Sequence, residues 1–209
     1  MSIFPELFVS IRRFLDSFYL IDNQRRASLD DIVDKLLIKS LNLTYDLHVN
    51  FLCNHNAKRS IYAHVWAYTA KVFFGIDKVS IWSSGIDPSK VKHSTAISIA
   101  DKGFDVDVLD EDTGVYSVVL GEHLPNLTIF SKKCDLNEWQ EEDSCTCVIV
   151  NCLDSWEYFQ QNPIPCDQML YAKQQGVDML DLIGIEVFYI FSELNRKKQG
   201  MQSRKLALV

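Results

Sequence analysis

The sequence predicts an α/β protein in three layers, a four-stranded parallel sheet flanked by helices, with an N-terminal helical extension and an inserted β-hairpin. Three observations predict that class. Short β-rich runs alternate with helix-period segments, at 47–52, 59–74, 79–83 and about 89–102, an order that favours a right-handed parallel βαβ unit. The run Cys147-Val148-Ile149-Val150-Asn151 is a continuous apolar stretch, the mark of a strand covered on both faces. A chain of 209 residues with 47% apolar content can bury one full core, and its length suits one domain with additions better than two.

Taken in order, residues 1–45 form the extension. A helix covers 4–21, and a second opens at Ser28, where Asp31 three positions on gives a capping-box pattern. Its expected role is a packing layer over the core. The domain proper spans 46–200. A strand at 47–52 turns into a helix at 59–74, which Gly75 stops. A second strand at 79–83 precedes a helix ended by Gly103. Residues 104–131 break this rhythm: 115–120 and 127–130 are β-rich and separated by Gly121 and Pro125, which predicts the hairpin. Residues 147–151 supply the third strand. Residues 162–165 supply a short fourth strand at the sheet edge, where proline is tolerated. A helix over 177–198 follows, with Arg196, Lys197 and Lys198 suiting its C-terminal dipole. Residues 201–209 are left as a tail.

The formal net charge of −7 argues against a general nucleic-acid binder, which needs a basic surface to displace counterions. Arg12, Arg13 and Asp16 interrupt the first apolar stretch, so no secretory segment is expected. The most apolar stretch, 179–191, carries Asp181 and Glu186 and at about 13 residues falls short of the roughly 20 that span a bilayer. A cytoplasmic protein without membrane contact is expected. Its six cysteines then read as reduced thiols. Cys145 and Cys147, with Cys134 and His123 elsewhere, lack zinc-site spacing, so neither metal nor cofactor is expected.

The segment Cys53-Asn54-His55-Asn56-Ala57-Lys58-Arg59-Ser60 carries the chemistry. A strand that turns directly into a helix leaves several N–H groups unpaired around one concavity, where an anion can sit. A cysteine at the first position lies beside those amides and beside Arg59, an arrangement that stabilises a thiolate and makes Cys53 a nucleophile. The planar fork of Arg59 can bind two oxygens of a tetrahedral oxyanion, which lysine cannot do. Ser60 can donate to the thiolate, and His55 and Lys58 add positive potential. The loop has no glycine, but Asn54 and Asn56 tolerate left-handed backbone angles. Without Gly-Lys-Ser/Thr, it is not a Walker phosphate loop.

The stretch from Val49 to Ser60 resembles the signature of low-molecular-weight protein tyrosine phosphatases and of the thioredoxin-coupled arsenate reductases that share their fold. Ser83-Ser84-Gly85, the segment from His93 to Val106 and the strand from Cys147 to Cys152 extend the likeness, which covers about 46–104 well and 145–195 loosely. The resemblance implies a phosphatase that works through a phosphocysteine, with phosphate, arsenate or a phosphoprotein as substrate. Cys53 would attack phosphorus, Arg59 and loop residues 54–58 and 60 would hold the oxygens, and an aspartic acid would protonate the leaving group. The family's Asp-Pro follows its fourth strand; here Asp-Pro occurs only at Asp87-Pro88, after the second. Asp167, expected to follow the edge strand directly, is the candidate acid, with Asp178 and Asp181 as alternatives. Arsenate reduction would add a thiol relay through Cys152 and Cys166 to a thioredoxin-like reductant. A non-catalytic oxyanion or phosphoprotein binder is the third reading.

Overall fold

The computed structural model describes residues 2–41, 46–135, 146–152, 155–158, 166–168 and 178–206. Strand β1 (Ser2–Ile3) precedes helix α1 (Pro5–Asp16), a 3₁₀ turn (Phe18–Leu20) and α2 (Asn23–Ser40). Then come β2 (Leu47–Cys53), α3 (Arg59–Phe74), β3 (Val79–Gly85) and α4 (His93–Ala100). Three longer strands and one short one follow: β4 (Asp105–Asp110), β5 (Val115–Val119), β6 (Gly121–Glu122) and β7 (Leu127–Ile129). The last elements are β8 (Thr146–Val150), β9 (Cys166–Gln168) and α5 (Met179–Leu206).

The class is α/β. The main sheet runs β3-β2-β8-β9, and its neighbouring strands pair in parallel. Strand β2 is interior, paired with β3 on one edge and β8 on the other, and its two faces have different partners. Leu47, Val49 and Phe51 join the large core with α3 and α5, whereas Leu52 packs with Val148 and Val150 on the other face, under Trp156 and Tyr158. In the large core the buried Trp66 ring meets Phe14, Phe104 and Phe188 edge-on, with centroids 4.7, 5.0 and 5.8 Å away. Such edge-to-face contacts add to the area that each ring buries. Gly75 stops α3 in the left-handed region (φ 63°), as the sequence predicts.

The extension shares this core rather than covering it from outside: Leu7, Ile11, Phe14, Leu29 and Leu36 are fully buried in the same cluster. Gly184 lets α1 approach α5, since a Cβ there would lie 2.3 Å from the Phe14 ring. Arg25 binds the buried Glu186 of α5 through two hydrogen bonds of 2.8 and 2.7 Å. The capping box at Ser28 does not form. Asp22, in extended conformation, accepts from Arg25 N–H at 2.8 Å and caps α2 six residues before Ser28, whose hydroxyl donates to Gln24 O inside the helix.

Residues 104–131 hold a three-stranded antiparallel sheet, β4-β5-β7, not a hairpin. Strand β4 reads Asp-Val-Asp-Val-Leu-Asp and is mostly exposed, so no apolar face announces it. The expected edge strand at 162–165 lies outside the described residues, as do Cys145 and Trp139. Helix α5 continues through 201–206, which the sequence leaves as a tail. Among the described residues no helix is long and apolar enough to cross a membrane.

Candidate active site

Strand β2 delivers Cys53, 5% exposed, to the carboxyl edge of the sheet, and α3 begins six residues later at Arg59. No side chain caps α3, so the N–H groups of its first turn remain for whatever occupies the turn between. Asn56 is the residue that takes the left-handed angle (φ 45°) and closes the turn; Asn54 does not. Loop carbonyls are drawn outward. Asp87 N–H and Ser89 N–H donate to the carbonyls of Asn54 and His55, both at 2.9 Å, and Thr95 Oγ1 donates to that of Ala57 at 3.0 Å. Turning these carbonyls away leaves the amide face of the turn toward the concavity.

Beneath the loop runs a short polar chain. Lys132 N–H donates to Asn56 Oδ1 at 2.9 Å, and Asn56 Nδ2 donates to Ser60 Oγ at 2.9 Å. Ser60 Oγ lies 3.0 Å from Cys53 Sγ. The Ser60 hydroxyl, which accepts from Asn56, is thus held within hydrogen-bond reach of the sulfur. Asn56 and Ser60 are both fully buried. Gly85 at the end of β3 is the floor: a Cβ there would sit 2.8 Å from both Asn54 O and Asn56 N.

Over the sulfur opens a cleft of about 570 Å³ whose wall includes Lys58, Arg59 and Lys92 and, among the described residues, no carboxylate. Ser89, Thr95 and Met179 complete it opposite the loop. Among the described residues no carboxylate pairs with Arg59. The chain is acidic overall, yet this cleft is cationic, the condition for drawing in an anion. His55 lines the cleft and its Nδ1 is 2.9 Å from Asp87 O. Lys92 belongs to the basic run 90–93, a signal the sequence carried; Thr95 and Met179 carried none, because only the fold brings them here.

Asp167, the expected acid, is not among the described residues that line the cleft. Strand β9 takes in Asp167 instead of ending before it, and its Cα pairs with Ile149, which lies level with Phe51 and two residues short of Cys53. Lys35 of α2 engages its carboxylate, and that hydrogen bond holds the Lys35 ammonium above the usual lysine value. Asp181 is held by Arg13 at 3.2 Å and Lys102 at 2.5 Å. Asp178 is exposed, accepts from Leu180 N–H at 3.1 Å, and directly precedes Met179 of the cleft wall. Burial, then the charges of Asp181 and Asp178, push the Tyr62 phenol above its ordinary value, so it stays the donor to Ser98 O at 2.9 Å.

Cys152 does reach the loop. Asn54 N–H donates to its sulfur at 3.2 Å, and Ser155 Oγ lies 3.0 Å from it on the other side. Cys166 opens β9 with its Cα opposite Val148, four residues below Cys152, or about 13 Å along a strand. The backbone register therefore does not bring Cys166 to Cys152.

No protein-family model matches the chain, and no curated protein does. The solved structures it resembles are low-molecular-weight protein tyrosine phosphatases, arginine phosphatases and arsenate reductases. One is an arsenate reductase in its phosphate-binding state, 15% identical over 72% of this chain and 98% of that one, with a TM-score of 0.41. The YwlE arginine phosphatase from Geobacillus stearothermophilus is 12% identical over 76% and 96%, with a TM-score of 0.47. The low-molecular-weight protein tyrosine phosphatase from T. tengcongensis is 13% identical over 72% and 99%, with a TM-score of 0.44. At such values these likenesses carry no chemistry to this chain, whose own loop and cleft must do so.

Proposed function

We propose that the protein is a cysteine-dependent phosphatase that hydrolyses phosphate monoesters, phosphotyrosine-like aryl esters among them, through a phosphocysteine. One observation carries this reading: Cys53 Sγ sits 3.0 Å from the buried Ser60 hydroxyl, under a cationic cleft floored by the amides of a strand-to-helix turn. The Cys53 thiolate attacks phosphorus, forming the S–P bond as the ester P–O bond breaks. Arg59 and the loop amides hold the equatorial oxygens, whose charge is shared in the transition state. The leaving oxygen takes a proton from an acid, and water then cleaves the S–P bond to release phosphate. We assign the acid to Asp178, beside the cleft wall, because Lys35 occupies the carboxylate of Asp167.

The test is hydrolysis of an aryl phosphate by wild type, Cys53→Ser, Asp178→Asn and Asp167→Asn. Cys53→Ser is expected to lose about a thousandfold or more in kcat. Asp178→Asn is expected to lose the fall in rate at high pH, which reports deprotonation of the acid, with a loss of about a hundredfold. Wild-type protein without aryl phosphatase activity rejects the reading. An unchanged profile in Asp178→Asn returns the acid to Asp167.

A second reading rests on Cys152. Attack of Cys53 on arsenate, loss of water and attack of Cys152 on the Cys53 sulfur would release arsenite and leave a Cys53–Cys152 disulfide for an external dithiol of the thioredoxin class to reduce. The sulfur of Cys152 at the first loop amide favours it. Arsenite release that requires a dithiol and is lost in Cys152→Ser would establish it.

A further inference from the structure

The cleft over Cys53 carries more positive charge than one phosphate needs, and that charge comes from two separate elements. Lys58 and Arg59 belong to the turn and the start of α3, whereas Lys92 directly precedes α4; all three line the cleft. The wall that bears Lys92 is tied to the loop on both sides of it in the chain. Ser89 N–H donates to His55 O at 2.9 Å, and Thr95 Oγ1 donates to Ala57 O at 3.0 Å. Thr95 is buried, so the second tie is shielded from water. The backbone of Lys92 therefore keeps a set place relative to the phosphate site, while its exposed side chain can swing toward a ligand.

A phosphate monoester carries a charge of about −1.5 to −2 near neutral pH. The fork of Arg59 and the amides of the turn meet its non-bridging oxygens. Among the described residues neither Lys58 nor Lys92 has a carboxylate within ion-pair distance. Asp178, the assigned acid, must hold its proton to serve as one and so adds no negative charge there. A recess of about 150 Å³ holds benzene, so a cleft of about 570 Å³ has room for a phosphate and a ring-sized body beyond it. Among the described residues no aromatic ring lines it, so that body meets charge and hydroxyls rather than a stacking face.

We propose that Lys92 selects, among phosphate monoesters, those that carry a second anionic group on the alcohol side. The inference rests on the proposed function for the place of the first phosphate: the Cys53 loop takes the phosphate, and Lys92 takes the second anion. Lys92 touches no reacting atom. Its contact is the same before and during transfer, so it acts on KM rather than on kcat.

Two esters of matched outline test this: 4-carboxyphenyl phosphate, and 4-carbamoylphenyl phosphate, which lacks the second charge. Wild type is expected to show kcat/KM about fivefold higher for the carboxylate, the upper range for one exposed ion pair, with the difference in KM. The ratio should fall toward one in Lys92→Gln, return in Lys92→Arg and shrink in about 0.5 M salt. Titration calorimetry of both esters on Cys53→Ser, which cannot turn them over, reads the same preference in Kd without hydrolysis. Equal kcat/KM for the two esters, or a preference that survives Lys92→Gln, overturns the inference and leaves the phosphatase reading in place. A preference in Kd that needs Lys92, without hydrolysis by wild type, rejects the phosphatase reading and keeps the anion selection. Binding of neither ester rejects both.

Discussion

The loop under the Cys53 cleft and the cavity behind β3 share a neighbour, Lys132, whose N–H donates to Asn56 and whose side chain lines the cavity, and they are built by opposite means. The cleft draws its sulfur, amides and guanidinium from one run of eight residues, Cys53 to Ser60, and its buried polar atoms are engaged. The cavity gathers His64, Ile81, Thr128 and Lys132 from separate elements and leaves one buried nitrogen unpartnered. Anion capture is simple to encode locally, because a helix start supplies N–H groups wherever it occurs. A shaped apolar recess has no such local recipe and depends on how distant elements meet.

Substitutions can break this contrast. The largest effect belongs to Arg59→Lys, which removes the bidentate fork and is expected to lower aryl phosphatase kcat/KM by about 10² to 10³. Unchanged kcat/KM in that variant would remove Arg59 from anion capture.

The cavity side is probed by acid. Folded His64 has its pKa lowered to about 4, while the unfolded chain takes up the proton near the ordinary 6.5. Between those values the unfolded state binds more protons, so stability falls as pH drops from 6.5 toward 4, by about 3 kcal/mol. Urea unfolding at pH 7 and pH 4.5 measures it, and His64→Gln should flatten that part of the slope. Gly85→Ala is next: its Cβ would press on Asn54 O and Asn56 N, displace the loop and cost about a hundredfold in kcat. The smallest effect is expected of Lys35→Met. Its ion pair with Asp167 is half exposed, so stability should change by less than about 1 kcal/mol and aryl phosphatase activity should not change. A large loss of activity there would draw Asp167 back toward the cleft.

How much of this was legible in sequence follows from where the information lies. The strand-loop-helix unit around Cys53 is written consecutively, with an apolar strand, asparagines for the tight turn and Gly75 for the stop, and it forms as read. Strand β4 escaped because its stability comes from pairing with β5 rather than from an apolar face. Helix α2 began at Asp22 rather than Ser28 because both residue types cap, and only the extended backbone at Asp22 placed an oxygen over a free N–H. Asp167 looked like a loop residue beyond the edge strand; Lys35, 132 positions away, gives it another partner. Thr95 and Met179, which line the cleft from other elements, become visible only once the fold brings those elements together.

The union of α1 and α2 with α5 has a consequence for synthesis. Arg25 finds Glu186 across 161 positions of chain, and Phe14 finds Gly184 over a similar span. A ribosome adding about 5 to 20 residues per second needs roughly ten to thirty seconds to produce that partner. During that interval Leu7, Ile11 and Phe14 have no final surface to lie against, and the nascent chain is open to chaperones. Contacts at such separation also place this fold among the slower ones to form. Ordering of the loop that holds Cys53 is local, whereas completion of the core beneath it waits for the last helix.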